Sequence, residues 1–300
     1  MSRNLFGRRD FLKTTGAIGL GLGLCAHGPV IFADEAAKGA PNAEKLGWRL
    51  GCQAYSFNRF SFFEAVDKTA SLGLKYIEAY PGQRMSKDRA EGIGEKLSAD
   101  DRKIVKQKLA DSGVKLVNFG VCDLSKNETD SRKVFDFAKD MGVETIVSEP
   151  DEAAMEMLDK LCGEYGINIA IHDHPQPSHY WNPDILLAAV KGRSKRIGAC
   201  ADTGHWVRSG LKPLECLKKL EGRIISFHFK DLVSDPKEGY HDVPWGTGVC
   251  DVKGMLAEIH RQGIKAVFSI EYEHHWDNSL PEIAQCVAYF DKIAAELQAT

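Results

Sequence analysis

The chain has 300 residues, 43% hydrophobic and 27% charged, with a formal net charge of −3. This is the composition of an ordinary folded globular protein, and it excludes a disordered chain or a small disulfide-dense scaffold. Both signs of charge are interspersed, with no Lys/Arg run and no basic footprint, so nucleic acid is not expected as a partner.

In chain order, the first feature is Arg8-Arg9-Asp10-Phe11-Leu12-Lys13, followed by the apolar, Gly-rich stretch Thr14 to Cys25. A basic start, a short mildly hydrophobic segment and then small residues resemble a twin-arginine export signal, assigned to residues 1–33. The apolar run is too short for a membrane span. The mature chain is therefore expected in the periplasm, without an integral membrane segment. Seven cysteines follow Cys25, with no CxxC pair. Cys52, Cys122 and Cys200 sit inside strand-like apolar runs, and the set reads as packing residues rather than disulfides.

After a polar linker at residues 34–46, one pattern recurs over residues 47–300: a short β-rich run, a loop, then an amphipathic helix that often ends in Gly. The strand-like runs are Arg49–Ser56, Lys75–Tyr80, Lys115–Val121, Glu144–Ser148, Asn168–His172, Arg196–Ala201, Arg223–Phe229 and Lys265–Tyr272. Helical spacing marks Phe62–Leu72, Ala99–Ser112, Ser131–Met141, Ala153–Tyr165, Asp184–Gly192 and Pro281–Leu297. Gly73, Gly113, Gly142, Gly166, Gly222 and Gly263 fall where helices should stop. Strand–helix alternation implies parallel strands joined by right-handed crossovers. Eight such units predict an α/β fold, a single (β/α)8 TIM barrel. An open doubly wound sheet is the alternative, but no GxGxxG opening occurs.

Active sites of such barrels lie at the C-terminal strand ends. There the chain places Glu149, His172 and His174, Asp202 and His205, His228 and Lys230, and Glu271. Desolvated carboxylates that repel one another are costly without a cation, and a divalent metal with mixed O/N donors relieves that cost. These carboxylates and imidazoles are candidates to surround one divalent ion (Mn, Mg, Co or Zn). Aromatics and donors in the following loops (His174, Trp181, Trp206, Arg208 and Trp245) are expected to bind a sugar. Lys230 lies two residues past His228 and should point into the barrel beside it, as an electrophile or proton donor toward a developing enolate.

The motif Asp202-Thr203-Gly204-His205 with His228 and Glu271 resembles the signature of the xylose-isomerase-like family. That family includes sugar phosphate isomerases and epimerases, inosose dehydratases and apurinic endonucleases. The resemblance implies that Asp202, His228 and Glu271 bind metal and that His205 reaches the substrate. It also exposes a departure: the epimerases carry a Glu on strand five where this chain has His172. An imidazole can still bind the metal as a neutral nitrogen donor, so the expected ligands become His172, Asp202, His228, Glu271 and Glu149. The exchange nevertheless removes one of two catalytic carboxylates, for which Glu149 is the candidate replacement.

The expected reaction is proton abstraction next to a sugar carbonyl, with the metal stabilising an enediolate as a Lewis acid. Glu271 or Glu149 takes the proton, and His205 or Lys230 returns it. The product is an isomer or epimer, or, if the β-substituent leaves, that of a lyase or hydratase acting on 3-keto-glycosides. The partner is then a small sugar or glycoside, with a homo-oligomer left open. The other classes considered are an apurinic endonuclease and a non-catalytic periplasmic sugar-binding barrel. Glu78 and Asn118 stand where the endonuclease needs zinc-binding histidines.

Overall fold

A computed structural model describes residues 39–299, so the export signal expected at residues 1–33 lies outside the described residues. Each predicted strand run forms a strand. They are β1 (Arg49–Gln53), β2 (Tyr76–Ala79), β3 (Lys115–Cys122), β4 (Thr145–Ser148), β5 (Asn168–His172), β6 (Ile197–Asp202) and β7 (Ile224–Phe229). After a hairpin of β8 (Leu232–Asp235) and β9 (Gly239–Asp242) comes the last barrel strand, β10 (Val267–Ile270). The barrel closes in the order β1-β10-β7-β6-β5-β4-β3-β2, every pair parallel. Closure removes the exposed edges that an open sheet would leave.

The helices are α1 (Pro41–Lys45), α2 (Phe62–Ser71), α3 (Ala99–Asp111), α4 (Glu128–Met141), α5 (Met155–Tyr165) and α6 (Pro183–Ala189). They continue with α7 (Thr203–Arg208), α8 (Pro213–Lys219), α9 (Val252–Arg261) and α10 (Leu280–Gln298). Local signals account for many of their ends. Ser61 and Glu64 form a reciprocal capping box at the start of α2. Gly142 and Gly166 close α4 and α5 at φ 76° and 71°, where a side chain would be strained.

Two segments differ from expectation. Residues 41–45 of the expected linker form α1, because Pro41 suits a first helical turn and Asp291 of α10 accepts hydrogen bonds from the backbone amides of Asn42 (2.6 Å) and Ala43 (3.1 Å). The segment after β7, read as a loop, turns back as the β8–β9 hairpin. Asp231 anchors that excursion by accepting from the amides of Gly246, Gly248 and Cys250. Between barrel and α10, Trp48 packs on Phe268 and Phe290, with centroids 5.5 Å away in each case. The seven cysteines among the described residues are buried and free. No described helix is long and apolar enough to cross a membrane.

Candidate metal and acid–base site

Strand register assembles the site. Asp202 pairs with His228 across β6–β7, and His228 pairs with Ser269 across β7–β10. Glu271, two residues beyond Ser269, points the same way because strand side chains alternate. Asp202, His172, His228, Lys230 and Glu271 all end up buried at this end of the barrel. Asp202 also caps α7, its Oδ1 accepting from His205 N at 2.7 Å. That turn lifts His205 over the strand ends, where its Nε2 lies 3.5 Å from Asp202 Oδ2.

Each imidazole of the inner pair is held from behind by a carboxylate. His172 Nδ1 donates to Glu149 (3.2 Å), which turns Nε2 toward Asp202 Oδ2 at 3.6 Å. His228 Nε2 donates to Glu78 at 2.8 Å, which leaves Nδ1 facing Glu271 Oε2 at 3.1 Å. A carboxylate behind an imidazole fixes its tautomer and aims the other nitrogen, the arrangement found behind metal-bound histidines. His172 Nε2 is a buried atom without a hydrogen-bond partner, while Asp202 Oδ2 and His228 Nδ1 have only ion-pair neighbours, Lys230 Nζ at 3.0 Å and Glu271 Oε2 at 3.1 Å. A buried ring nitrogen left without a partner is costly unless something else satisfies it. His172, Asp202, His205 and Glu271 also present donor atoms within 4.8 Å of one another. This mixed N/O set fits a divalent ion.

His205 is better placed as a donor. Its Nδ1 lies 3.0 Å from Arg208 Nη1, which can only donate, so the ring proton sits on Nε2 and faces the site. Burial holds His205 well below its ordinary pKa, so the ring stays neutral. His172 and His228 behave differently. Burial pushes both down, but Asp202 and Glu149 outweigh it at His172. At His228, Cys200, Glu78 and Glu271 do the same. An ion binding between them therefore displaces protons.

Lys230 is fully buried, its Nζ 3.0 Å from Asp202 Oδ2, 2.8 Å from Glu271 Oε2 and 2.9 Å from Glu273 Oε2. Burial opposes the charge, but these carboxylates raise its pKa well above the ordinary lysine value. Burial would likewise protonate Asp202 and Glu271. Lys230 and the neighbouring imidazoles instead hold both well below the usual carboxylate range. Arg208 extends the network, 3.4 Å from both Asp242 and Glu273.

Not every residue expected here arrives as expected. Glu149 turns Oε1 to the amide and ring nitrogen of His174 as well as to His172, and Oε2 accepts from Ser178 Oγ at 2.6 Å. It positions histidines rather than facing the ligand space, because the loop after β5 folds over it. Trp206 and Trp245, expected on the cleft wall, are 1% and 2% exposed and belong to the apolar core. Trp245 lies against Phe229 and Phe290, at 5.0 and 5.7 Å, since Asp231 pulls its loop inward. His174 is exposed beside His205, their rings stacked at 5.3 Å, whereas Trp181 is partly buried with no ring contact to this group.

Sequence reasoning missed Glu78, which it weighed only as a missing histidine. Its carboxylate accepts from Ser269 Oγ (2.6 Å), Gln53 Nε2 (3.2 Å) and Asn118 Nδ2 (3.3 Å) besides His228. A buried acid flanked by polar residues on neighbouring strands was the available signal. Glu273 and Asp242 were also passed over.

The profile of the xylose isomerase-like TIM barrel family matches residues 66–293, and the chain belongs to that family. It is 28% identical over 134 residues to an inosose dehydratase of Geobacillus thermodenitrificans, a match covering 40% of this chain and 45% of that one. The chain thus spans less than half the length of that curated relative. A solved structure of an uncharacterised protein from Parabacteroides distasonis is 31% identical, covers 82% of this chain and 99% of its own, and superposes at a TM-score of 0.68. A xylose isomerase-like barrel from Mycobacterium smegmatis, solved in complex with magnesium, is 16% identical with a TM-score of 0.63, covering 83% of this chain and 97% of its own. At that identity the likeness is one of fold.

Proposed function

We propose that this protein is a divalent-metal-dependent enzyme that removes a proton next to the carbonyl of a sugar, a glycoside or a related cyclic polyol ketone. The observation that carries this reading is the buried, unpartnered Nε2 of His172 in a group with Asp202, His205 and Glu271 whose donor atoms lie within 4.8 Å of one another. His172, Asp202, His228 and Glu271 would hold the ion, which when bound supplies a Lewis acid for the carbonyl. Glu271 takes the proton from the carbon next to the carbonyl, and the electron pair moves onto the carbonyl oxygen. His205 Nε2–H and the Lys230 ammonium are within the same cluster to donate toward that oxygen.

The enolate has two fates. Reprotonation on the other face gives an epimer and needs a second acid–base group there. Expulsion of the β-oxygen substituent, with Lys230 supplying its proton, forms the C=C bond and releases water or an alcohol. Elimination is favoured here, because His172 replaces the second carboxylate and Glu149 is bound up behind it. The likeness to an inosose dehydratase points the same way. Incubation with an inosose, ketoses and 3-keto-glycosides in D2O, read by proton NMR, tests this. Deuterium uptake with loss of the β-substituent supports elimination, uptake without loss means isomerisation, and no uptake with any of them sinks proton abstraction.

His172→Glu puts a carboxylate where epimerases have theirs. It should keep the ion, since oxygen is an acceptable donor, keep α-proton exchange and lose elimination at least tenfold. A variant that holds its metal but shows no exchange would make His172 itself the acid or base. Residues 1–33 are proposed to direct export by the twin-arginine route. With Arg8 and Arg9 both changed to Lys, precursor should accumulate in the cytoplasm, and unchanged periplasmic protein would refute the route.

A further inference from the structure

The β8–β9 hairpin and the loop after β10 meet at the barrel mouth and bring together histidines that the site above does not use. Glu238 sits just before β9, His241 lies within β9, and His274 follows Glu273. The His241 and His274 rings are 4.4 Å apart and tilted by 31°. His241 Nδ1 and His274 Nε2 both face Glu238 Oε2, at 3.9 and 3.8 Å. Those separations are too long for hydrogen bonds. His241 Nδ1 is a buried atom with no partner at all.

We infer that Glu238, His241 and His274 form a second metal site, for a borderline divalent ion such as zinc. Two imidazole nitrogens and one carboxylate oxygen are a three-ligand zinc set that leaves a fourth position for water. Zinc–ligand bonds of about 2.0–2.1 Å place tetrahedral donors about 3.3 Å apart. The two carboxylate–imidazole separations are thus about half an ångström too long, and Glu238, the exposed member, can swing in to close that gap. His275 is a neighbour rather than a ligand, because its Nδ1 is already bonded to both oxygens of Glu282 at 2.9 and 2.8 Å.

The position gives the ion a structural effect. His241 precedes Asp242 and His274 follows Glu273, the two carboxylates that hold Arg208. An ion bridging them ties the hairpin to the β10 loop and holds the Asp242–Arg208–Glu273 network over the acid–base site.

Zinc titration of the metal-free mature chain, with bound zinc counted after desalting, tests the assignment, and cobalt absorption reports the coordination geometry. His241→Ala and His274→Ala should each bind one zinc fewer than the wild type, while His275→Ala binds as many. His241 and His274 are partly exposed, and circular dichroism checks that the variants fold. Equal zinc content in the wild type, His241→Ala and His274→Ala overturns the site, as does a loss seen only with His275→Ala. The active-site reading fails separately, as an Asp202→Ala protein that holds the wild-type number of ions.

Discussion

Glu271→Gln is expected to lower α-proton exchange in D2O by roughly 10²–10⁴-fold, the usual share of a positioned general base. The amide keeps the size and the oxygen of the side chain but cannot accept a proton from carbon. Glu149 cannot take over, since its oxygens are engaged by His172, His174 and Ser178. The variant should stay folded, and its bound metal should be counted alongside the rate. Exchange within about tenfold of the wild type, at equal metal content, would remove Glu271 as the base. A matching loss in Glu149→Gln would not decide between them, because that change also frees the His172 ring. Its signature is a changed metal affinity, which substitutions of the groups hydrogen-bonded behind metal-binding histidines commonly alter by about 10–100-fold.

Lys230→Met should be costly in a different quantity. The substitution preserves the length of the stem and removes the ammonium lying within 3.0 Å of Asp202, Glu271 and Glu273. Removing one partner of a buried ion pair leaves uncompensated charge and costs about 3–5 kcal/mol, to be read from denaturant midpoints of the metal-free protein. In the wild type, Asp202 and Glu271 titrate below their ordinary ranges, with Lys230 among the causes. Groups with depressed pKa values stabilise the fold above their unfolded values of 3.8 and 4.5, and that contribution is lost as pH falls. The deficit of Lys230→Met should therefore be largest near neutrality and shrink as pH drops below about 4. Saturating divalent ion should restore part of it, because a cation again faces the same oxygens. A variant as stable as the wild type without metal would mean that the ammonium is dispensable to these carboxylates.

The barrel itself was legible in the sequence. Its signals are local: the alternation of strand-like and helical periodicity, and helix stops such as Gly142 and Gly166, depend on residues a few positions apart. The inner residues of the site were also readable, since Asp202, His228 and Glu271 occupy strand ends that any such barrel brings to one face. What each of those residues bonds was not. His228 and its Glu78 partner are 150 positions apart, and Ser269 and Glu78 are 191 apart. Only the closed register of β1, β2, β7 and β10 makes them neighbours. The same holds for the role of Glu149, a strand-end acid like Glu271 by sequence, which the loop after β5 folds over and binds to histidines. Trp206 and Trp245 read as cleft aromatics because a loop ring looks the same in sequence whether it faces ligand or core. The helical turn after β6 and the Asp231 anchor after β7 turned both of them inward. Local chemistry thus determined which elements form and which polar residues stand at their ends, while side-chain partners waited on long-range packing, where register and loop closure choose among many equivalent donors and acceptors.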